Sequence, residues 1–287
     1  MSPACPLCQS TDHKVIYDLR ALRSPHSVPG MVVRCRCCRM CFKILPTDKN
    51  LTAAYLEDYA ASEGIENYML GEAARKVFRR VLLGIDLAPR AGRPRLLDIG
   101  TGLGGLLEEA DKLGFDAQGI DLCEPLVRKA RERGLRVECK PAEQLTNETQ
   151  FDVVTILDTI EHVMQPLALL GAAHRVLKPG GELVVYTQNH RAAVVIFANC
   201  LNAVGLDFAV NEIFGSNHVS FFDDRTLPVA VRQEGFVIRQ MKFFPYDSSR
   251  PGQPISLVSL AVVSAVELVG RPFGRMFRLL LYAQPKT

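Results

Sequence analysis

Leu97-Asp98-Ile99-Gly100-Thr101-Gly102-Leu103-Gly104-Gly105 is the stretch whose reading decides the fold. It closes an apolar run, RLLDI at 95–99, and opens a helical pattern over 103–113. Its glycines leave the backbone bare, so a ligand can approach the turn closely. Asp121 follows at the end of a second strand, placed to accept both hydroxyls of a ribose, with Leu122 beside it. Gly100, Gly102 and Gly105 also satisfy the dinucleotide fingerprint, so the glycines alone leave the nucleotide open. Asp98 decides between the two. A carboxylate beside the helix N-terminus repels a pyrophosphate but attracts a ligand carrying an ammonium and a sulfonium. S-adenosylmethionine has that charge at one end and an adenosine for Asp121 at the other.

Outward from this turn the chain alternates. Strand-like runs at 95–99, 117–122, 135–139, 151–157 and 182–187 are separated by helical patterns at 103–113, 124–133 and 166–177. Mostly continuous apolar strands between amphipathic helices predict an α/β, Rossmann-like sheet, mostly parallel and covered on both faces. Two more strands are expected at 236–244 and 277–283, and residues 190–222 and 245–270 are insertions that would cover a substrate. Before the sheet, 65–83 reads as a helix and 88–95 as a connector. The predicted division is a small N-terminal module at 1–46, a helical linker and cofactor lid at 47–94, and the main domain at 95–287.

The 287 residues are 48% hydrophobic and 23% charged, a globular composition. A net charge of +3 is too near balance to imply a nucleic-acid or membrane partner. The seven basic residues in 75–95, against Asp86 alone, read as a solvated face rather than an RNA grip. No secretory signal and no membrane span are visible, so a soluble, cytoplasmic protein is expected. Six of nine cysteines fall in the first 41 residues. In a reducing compartment clustered thiols read as metal ligands. Cys5-x-x-Cys8 and Cys35-x-x-Cys38 would hold one structural Zn²⁺ in a closed tetrahedral site. Cys38-x-x-Cys41 has the same spacing, so spacing alone does not settle the second pair.

These motifs together resemble the class I S-adenosylmethionine-dependent methyltransferases over most of 95–245. The resemblance implies a seven-stranded sheet with its last strand antiparallel. It assigns Asp98, Gly100, Thr101, Gly102 and Gly104 to the glycine-rich loop, and Asp121 with Leu122 to the ribose. Ala142 and Glu143 resemble the adenine-contacting turn. Phe151 to Val154 with Leu157-Asp158 resembles the fourth strand and its loop, placing Asp158 at the cofactor. Glu161-His162-Val163 and Val176 to Gly181 resemble ubiquinone-type methyltransferases. The front of the chain is similar to the zinc segment preceding some bacterial methyltransferases of sugars and natural products, which favours Cys35 and Cys38 over Cys38 and Cys41.

Methyl transfer is an in-line displacement, so a catalyst positions donor and acceptor and removes a proton. His218, in Asn217-His218-Val219-Ser220-Phe221-Phe222, resembles the histidine of an H-x-S-x-F stretch in sugar methyltransferases. Gly215 and Asn217 stand where those enzymes can have Tyr and Glu. His162 is the second candidate base, and Asp158, Glu161 and His162 are close enough in sequence to hold a cation. Tyr55, Tyr59 and Tyr68 are candidates to close over the cofactor. His13, His26, His174 and His190 are expected at the surface or already bonded. The acceptor is expected to be a small sugar, quinone or natural-product intermediate methylated on oxygen or carbon. The alternative is an RNA or protein substrate recognised through the zinc module. The apolar run 255–269 is expected to be a cover helix or a homodimer face.

Overall fold

The computed structural model describes residues 3–20, 28–45, 64–89, 91–246 and 257–286. The cysteine-rich start is an antiparallel meander of β1 (His13–Asp18), β2 (Met31–Cys35) and β3 (Cys41–Ile44). The pattern expected as one helix over 65–83 is two, α1 (Ile65–Leu70) and α2 (Glu72–Leu82), divided where Gly71 turns extended. Helix α2 buries Ala74, Val77, Phe78, Val81 and Leu82, one stripe at helical spacing.

The main sheet then follows from alternation. Its elements are β4 (Arg95–Ile99), α3 (Gly105–Lys112), β5 (Asp116–Asp121), α4 (Glu124–Glu132), β6 (Val137–Cys139), β7 (Phe151–Leu157), α5 (Pro166–Val176) and β8 (Leu177–Gln188). After them come α6 (Ala193–Ala203), α7 (Phe208–Gly215), β9 (Ser220–Phe221), α8 (Thr226–Gln233), β10 (Phe236–Phe244), α9 (Leu257–Gly270) and β11 (Arg278–Pro285). Seven strands pair in the order β10-β11-β8-β7-β4-β5-β6, and β11 alone runs antiparallel to its neighbours. Successive residues of a strand face opposite sides of the sheet. Leu96, Val153 and Val184 thus pack under α2, α3 and α4, while Leu97, Val154 and Val185 face α5 and α8. Strand β8 begins earlier than its apolar run, because Leu177 pairs with Phe151 before the Lys178–Gly181 irregularity and Glu182 resumes opposite Val153.

Strand β4 lies between β5 and β7, and the chain leaves it in both directions across the sheet. That reversal opens a crevice at the carboxyl ends of the strands, where such sheets bind ligands. Asp98 stands at its mouth, opposite Gly119 of β5 and Thr155 of β7.

The N-terminal segment is continuous with the main domain rather than a free-standing module. Strand β3 pairs with β9, Cys41 opposite Phe221 and Phe42 opposite Ser220, so the 190–222 insertion completes a four-stranded sheet. Leu19 and Val32 share an apolar cluster with Val195, Ala198, Val210, Phe214 and Phe221. Val33 and Phe42 join the core under β4 and β7. Among the described residues no helix is long and apolar enough to cross a membrane.

Candidate active site

The turn after β4 has the backbone its sequence demands. Gly100 and Gly102 take positive φ angles of 80° and 53°, and a Cβ on Gly100 would lie 2.2 Å from Thr159 Oγ1. The turn borders a cavity lined by Asp98, Gly100, Thr101, Gly102, Asp121, Leu122, Ala142, Glu143, Asp158 and His162. Tyr68, Met69 and Phe78 line it from α1 and α2. Gly104 is different. It caps α3 with a φ of 77° and packs against Leu135, so it shapes the turn without lining the cavity. Tyr55, Tyr59 and His26 lie outside the described residues.

Two carboxylates face this space. Asp98 is 4% exposed and accepts a 2.6 Å hydrogen bond from Thr155 Oγ1. Burial pushes its carboxyl up to about 6, partly offset by that hydroxyl. Asp121 accepts from the Gly102 N–H at 2.7 Å and the Cys123 N–H at 2.8 Å, and burial raises it as well. Among the described residues neither forms an ion pair with Lys or Arg. Buried acids with only dipolar partners leave the cavity electrostatically suited to a cation at the Asp98 end.

The opposite wall is assembled from distant segments. His162, in the 3₁₀ turn after β7, meets the ring of His218 edge-on with centroids 4.7 Å apart. His218 itself stands behind His162 rather than on the cavity lining. Burial holds both imidazoles neutral, His162 down to about 4 and His218 well below the ordinary value, with nearby cations adding to the effect on His218. Glu161 accepts from Thr187 Oγ1 at 2.9 Å and is pushed up to about 8 by burial and the Asp158 charge. Asp158, itself at a positive φ of 48°, is held by Arg278 at 2.7 Å. The cation-binding set read from sequence therefore changes membership. Ligand atoms of Glu161, His162 and His218 lie within 4.8 Å of one another, and Asp158 is engaged by Arg278.

His190 departs from expectation. It is half-buried between Phe214 and Phe221, and among the described residues neither ring nitrogen has a hydrogen-bond partner. Burial there pulls it down to about 3. His174 packs edge-on against Phe236.

Cys5, Cys8, Cys35 and Cys38 converge with their sulfurs within 4.8 Å, the Cys5–Cys38 and Cys8–Cys35 contacts both 3.5 Å. A zinc–sulfur bond of ~2.3 Å sets tetrahedral sulfurs ~3.8 Å apart, so the four fit that ion. Cys41 is turned away to the guanidinium of Arg34 at 3.3 Å and Cys37 is exposed, so the cluster of four sulfurs is that of Cys5, Cys8, Cys35 and Cys38.

The basic stretch also resolves. Arg75 and Arg79 bond the buried Glu109 at 3.0 and 3.1 Å, and Arg93 and Arg95 pair with Asp111 and Asp116. These four cations pair with acids of the fold.

The family described as "Methyltransferase domain" matches residues 69–241, which hold the glycine turn, both carboxylates, His162 and His218. The chain belongs to this methyltransferase domain family. The ubiquinone biosynthesis O-methyltransferase of Bordetella avium is 32% identical over 173 residues, 56% of this chain and 70% of that one. The enzyme of the same name from Pseudomonas syringae is 36% identical over 143 residues, 47% of this chain and 60% of its own. Against Pseudomonas aeruginosa the figure is 41% over 122 residues, 39% and 52% of the two chains. The chain thus spans between about half and seven tenths of these curated relatives. Among solved structures, a putative methyltransferase complexed with the Haloferax volcanii Trm112 activator shares the fold, with a TM-score of 0.60 at 17% identity, covering 81% of this chain and 98% of that one. A possible histamine N-methyltransferase from Thermotoga maritima gives 0.54 at 18%, covering 82% and 98%. The methyltransferase domain match starts at Met69 and so leaves the cysteine-bearing strands β1 to β3 outside it, while their partner β9 lies within it.

Sequence reasoning missed four contributors. Met69, Phe78 and Thr159 line the cavity as ordinary apolar or hydroxyl residues with nothing in the sequence to mark them. Arg278 had one sign, an arginine heading the otherwise apolar FRLLLYA run.

Proposed function

We propose that this chain is an S-adenosylmethionine-dependent methyltransferase that methylates a hydroxyl of a small-molecule acceptor. The observation that carries this reading is the pair of carboxylates, Asp98 and Asp121, facing one cavity with no lysine or arginine bound to either among the described residues. Asp98 receives the ammonium of the donor and Asp121 its ribose hydroxyls. Ala142 and Glu143 border the adenine, and Gly100, Thr101 and Gly102 let the donor lie against the backbone. When bound, the donor supplies an electrophilic methyl group on a sulfonium. The relatives named as ubiquinone O-methyltransferases support oxygen as the acceptor atom.

The chain's remaining task is to hold the acceptor and take its proton. Both histidines are kept neutral by burial, so each is in the state that accepts a proton. His162, on the cavity wall, stands nearest the acceptor, and His218 backs it through the ring contact. Glu161, pushed up by its dry surroundings, is placed to share the proton within this cluster. Arg278 holds Asp158 on the pocket lining through their ion pair. Cys5, Cys8, Cys35 and Cys38 hold a structural Zn²⁺, which leaves no open position for substrate.

The test is incubation of the protein with methyl-labelled donor and a metabolite extract. Label is expected in a small metabolite, on the oxygen of a hydroxyl. Label only in RNA or protein would refute the reading.

A further inference from the structure

We propose that Lys43 is a positioning residue that fixes the His218 segment against the 161–163 turn, tying the N-terminal sheet to the turn that carries His162. The proposal rests on the reading of His162 and His218 as the proton-accepting cluster.

Lys43 is on β3, is 1% exposed, and among the described residues pairs with no carboxylate. Its side-chain amine instead donates to two backbone carbonyls, Val28 at 3.2 Å and Ser216. Its stem reaches them by running past Gly30, where an added Cβ would lie 2.9 Å from Lys43 Cγ and 2.7 Å from the Ile44 carbonyl. The Lys43 backbone N–H donates to the Val219 carbonyl at 2.8 Å. Residues 216–219 are thus gripped from one flank by a single residue, through both its main chain and its side chain.

The other flank is gripped by the catalytic turn. The Val219 N–H donates to the Glu161 carbonyl at 2.8 Å, and Ser220 Oγ donates to the Val163 carbonyl at 3.1 Å. The His162 ring is hydrogen-bonded to the Asn217 backbone. His218 sits in the middle of this stitched segment with its ring against His162. Burying an amine is costly, and a methionine would fill the same channel without that cost. What methionine lacks is donors. Burial pushes the Lys43 amine down to about 7, and even when neutral it keeps two N–H groups for its two carbonyls.

The experiment compares Lys43→Met and Gly30→Ala with the unaltered chain. The readouts are amide hydrogen exchange at Val219, NMR signals of the His162 and His218 ring nitrogens, and affinity for S-adenosylhomocysteine. Both variants are expected to speed Val219 exchange at least tenfold and to shift the His162 and His218 ring signals. Affinity for S-adenosylhomocysteine should stay within twofold, because the cofactor wall does not touch Lys43. Gly30→Ala carries the test if Lys43→Met fails to fold. Wild-type exchange at Val219 with unshifted ring signals in the folded variants would overturn the role of Lys43. A His218→Ala variant that keeps full turnover would defeat the reading of His218 in catalysis while leaving this exchange pattern intact, so the two failures are separable.

Discussion

Asp98 and Asp121 stand at the ends of neighbouring strands, joined by one short helix, and their partners are backbone amides and a hydroxyl on the next strand. Across the pocket stands His162 with His218 behind it, contributed by the turn after β7 and the loop before β9; Lys43 holds the His218 segment and Arg278 holds the neighbouring Asp158. The first wall is a local product of one β-α-β unit. The second depends on three sheet neighbours and an N-terminal hairpin arriving together. A wall of local origin tolerates change elsewhere, whereas a wall of distant parts fails when any contributor loosens.

The largest effect that sharpens this contrast is on turnover. His218→Ala is expected to lower kcat by ~10²-fold or more, the usual worth of a base cluster, with S-adenosylhomocysteine affinity within twofold. Steady-state turnover and calorimetry on the same preparation check it. Equal losses in both would mean the two walls are not independent.

Cys35→Ser comes next. Zinc content should fall from one per chain to none, and the thermal midpoint should drop by roughly 10 °C, corresponding to several kcal/mol. Elemental analysis and calorimetry read both quantities. Cofactor affinity should persist, since the cysteine sheet joins the acceptor wall through β3 and β9 and not the glycine turn.

Asp98→Asn should make the ligand-free protein more stable. Its carboxyl rises from 3.8 to about 6 on folding, so the folded state binds more protons between those values. Stability is therefore lost as pH rises from about 4 to about 6, by up to ~3 kcal/mol, and the asparagine variant escapes that loss. Denaturant titrations of both proteins at pH 4 and pH 7 test the sign. The smallest effect belongs to the basic helix. Arg79→Met should cost less than ~1 kcal/mol, because its guanidinium is 60% exposed, and should leave RNA binding unchanged in a filter assay.

The same contrast explains what could be read from the chain alone. The glycine turn, Asp98, Asp121 and the strand runs at 95–99, 151–157 and 236–244 were legible because local periodicity and local charge dictate them. The cysteine cluster was legible as a candidate metal site from its Cys-x-x-Cys spacing, while the choice of Cys35 and Cys38 over Cys38 and Cys41 came from the family resemblance. Illegible were the β3–β9 pairing, the burial of Lys43 and His190, and the Arg278–Asp158 bond. Each joins residues far apart in sequence, and none leaves a periodic trace. Lys43 lies within CFKI, a strand with no marker of burial in its sequence, and is covered by residues 216–219 of the insertion. Gly104, read from its motif position, is the left-handed cap of α3 and lies off the cavity lining.

Isothermal calorimetry of S-adenosylhomocysteine and NADH on the unaltered protein and on Asp98→Asn tests the central claim most directly. One equivalent of S-adenosylhomocysteine should bind the unaltered chain, about 100-fold more weakly after the substitution and progressively less below pH 6, with no heat from NADH. NADH binding, or S-adenosylhomocysteine binding indifferent to Asp98, would contradict the account.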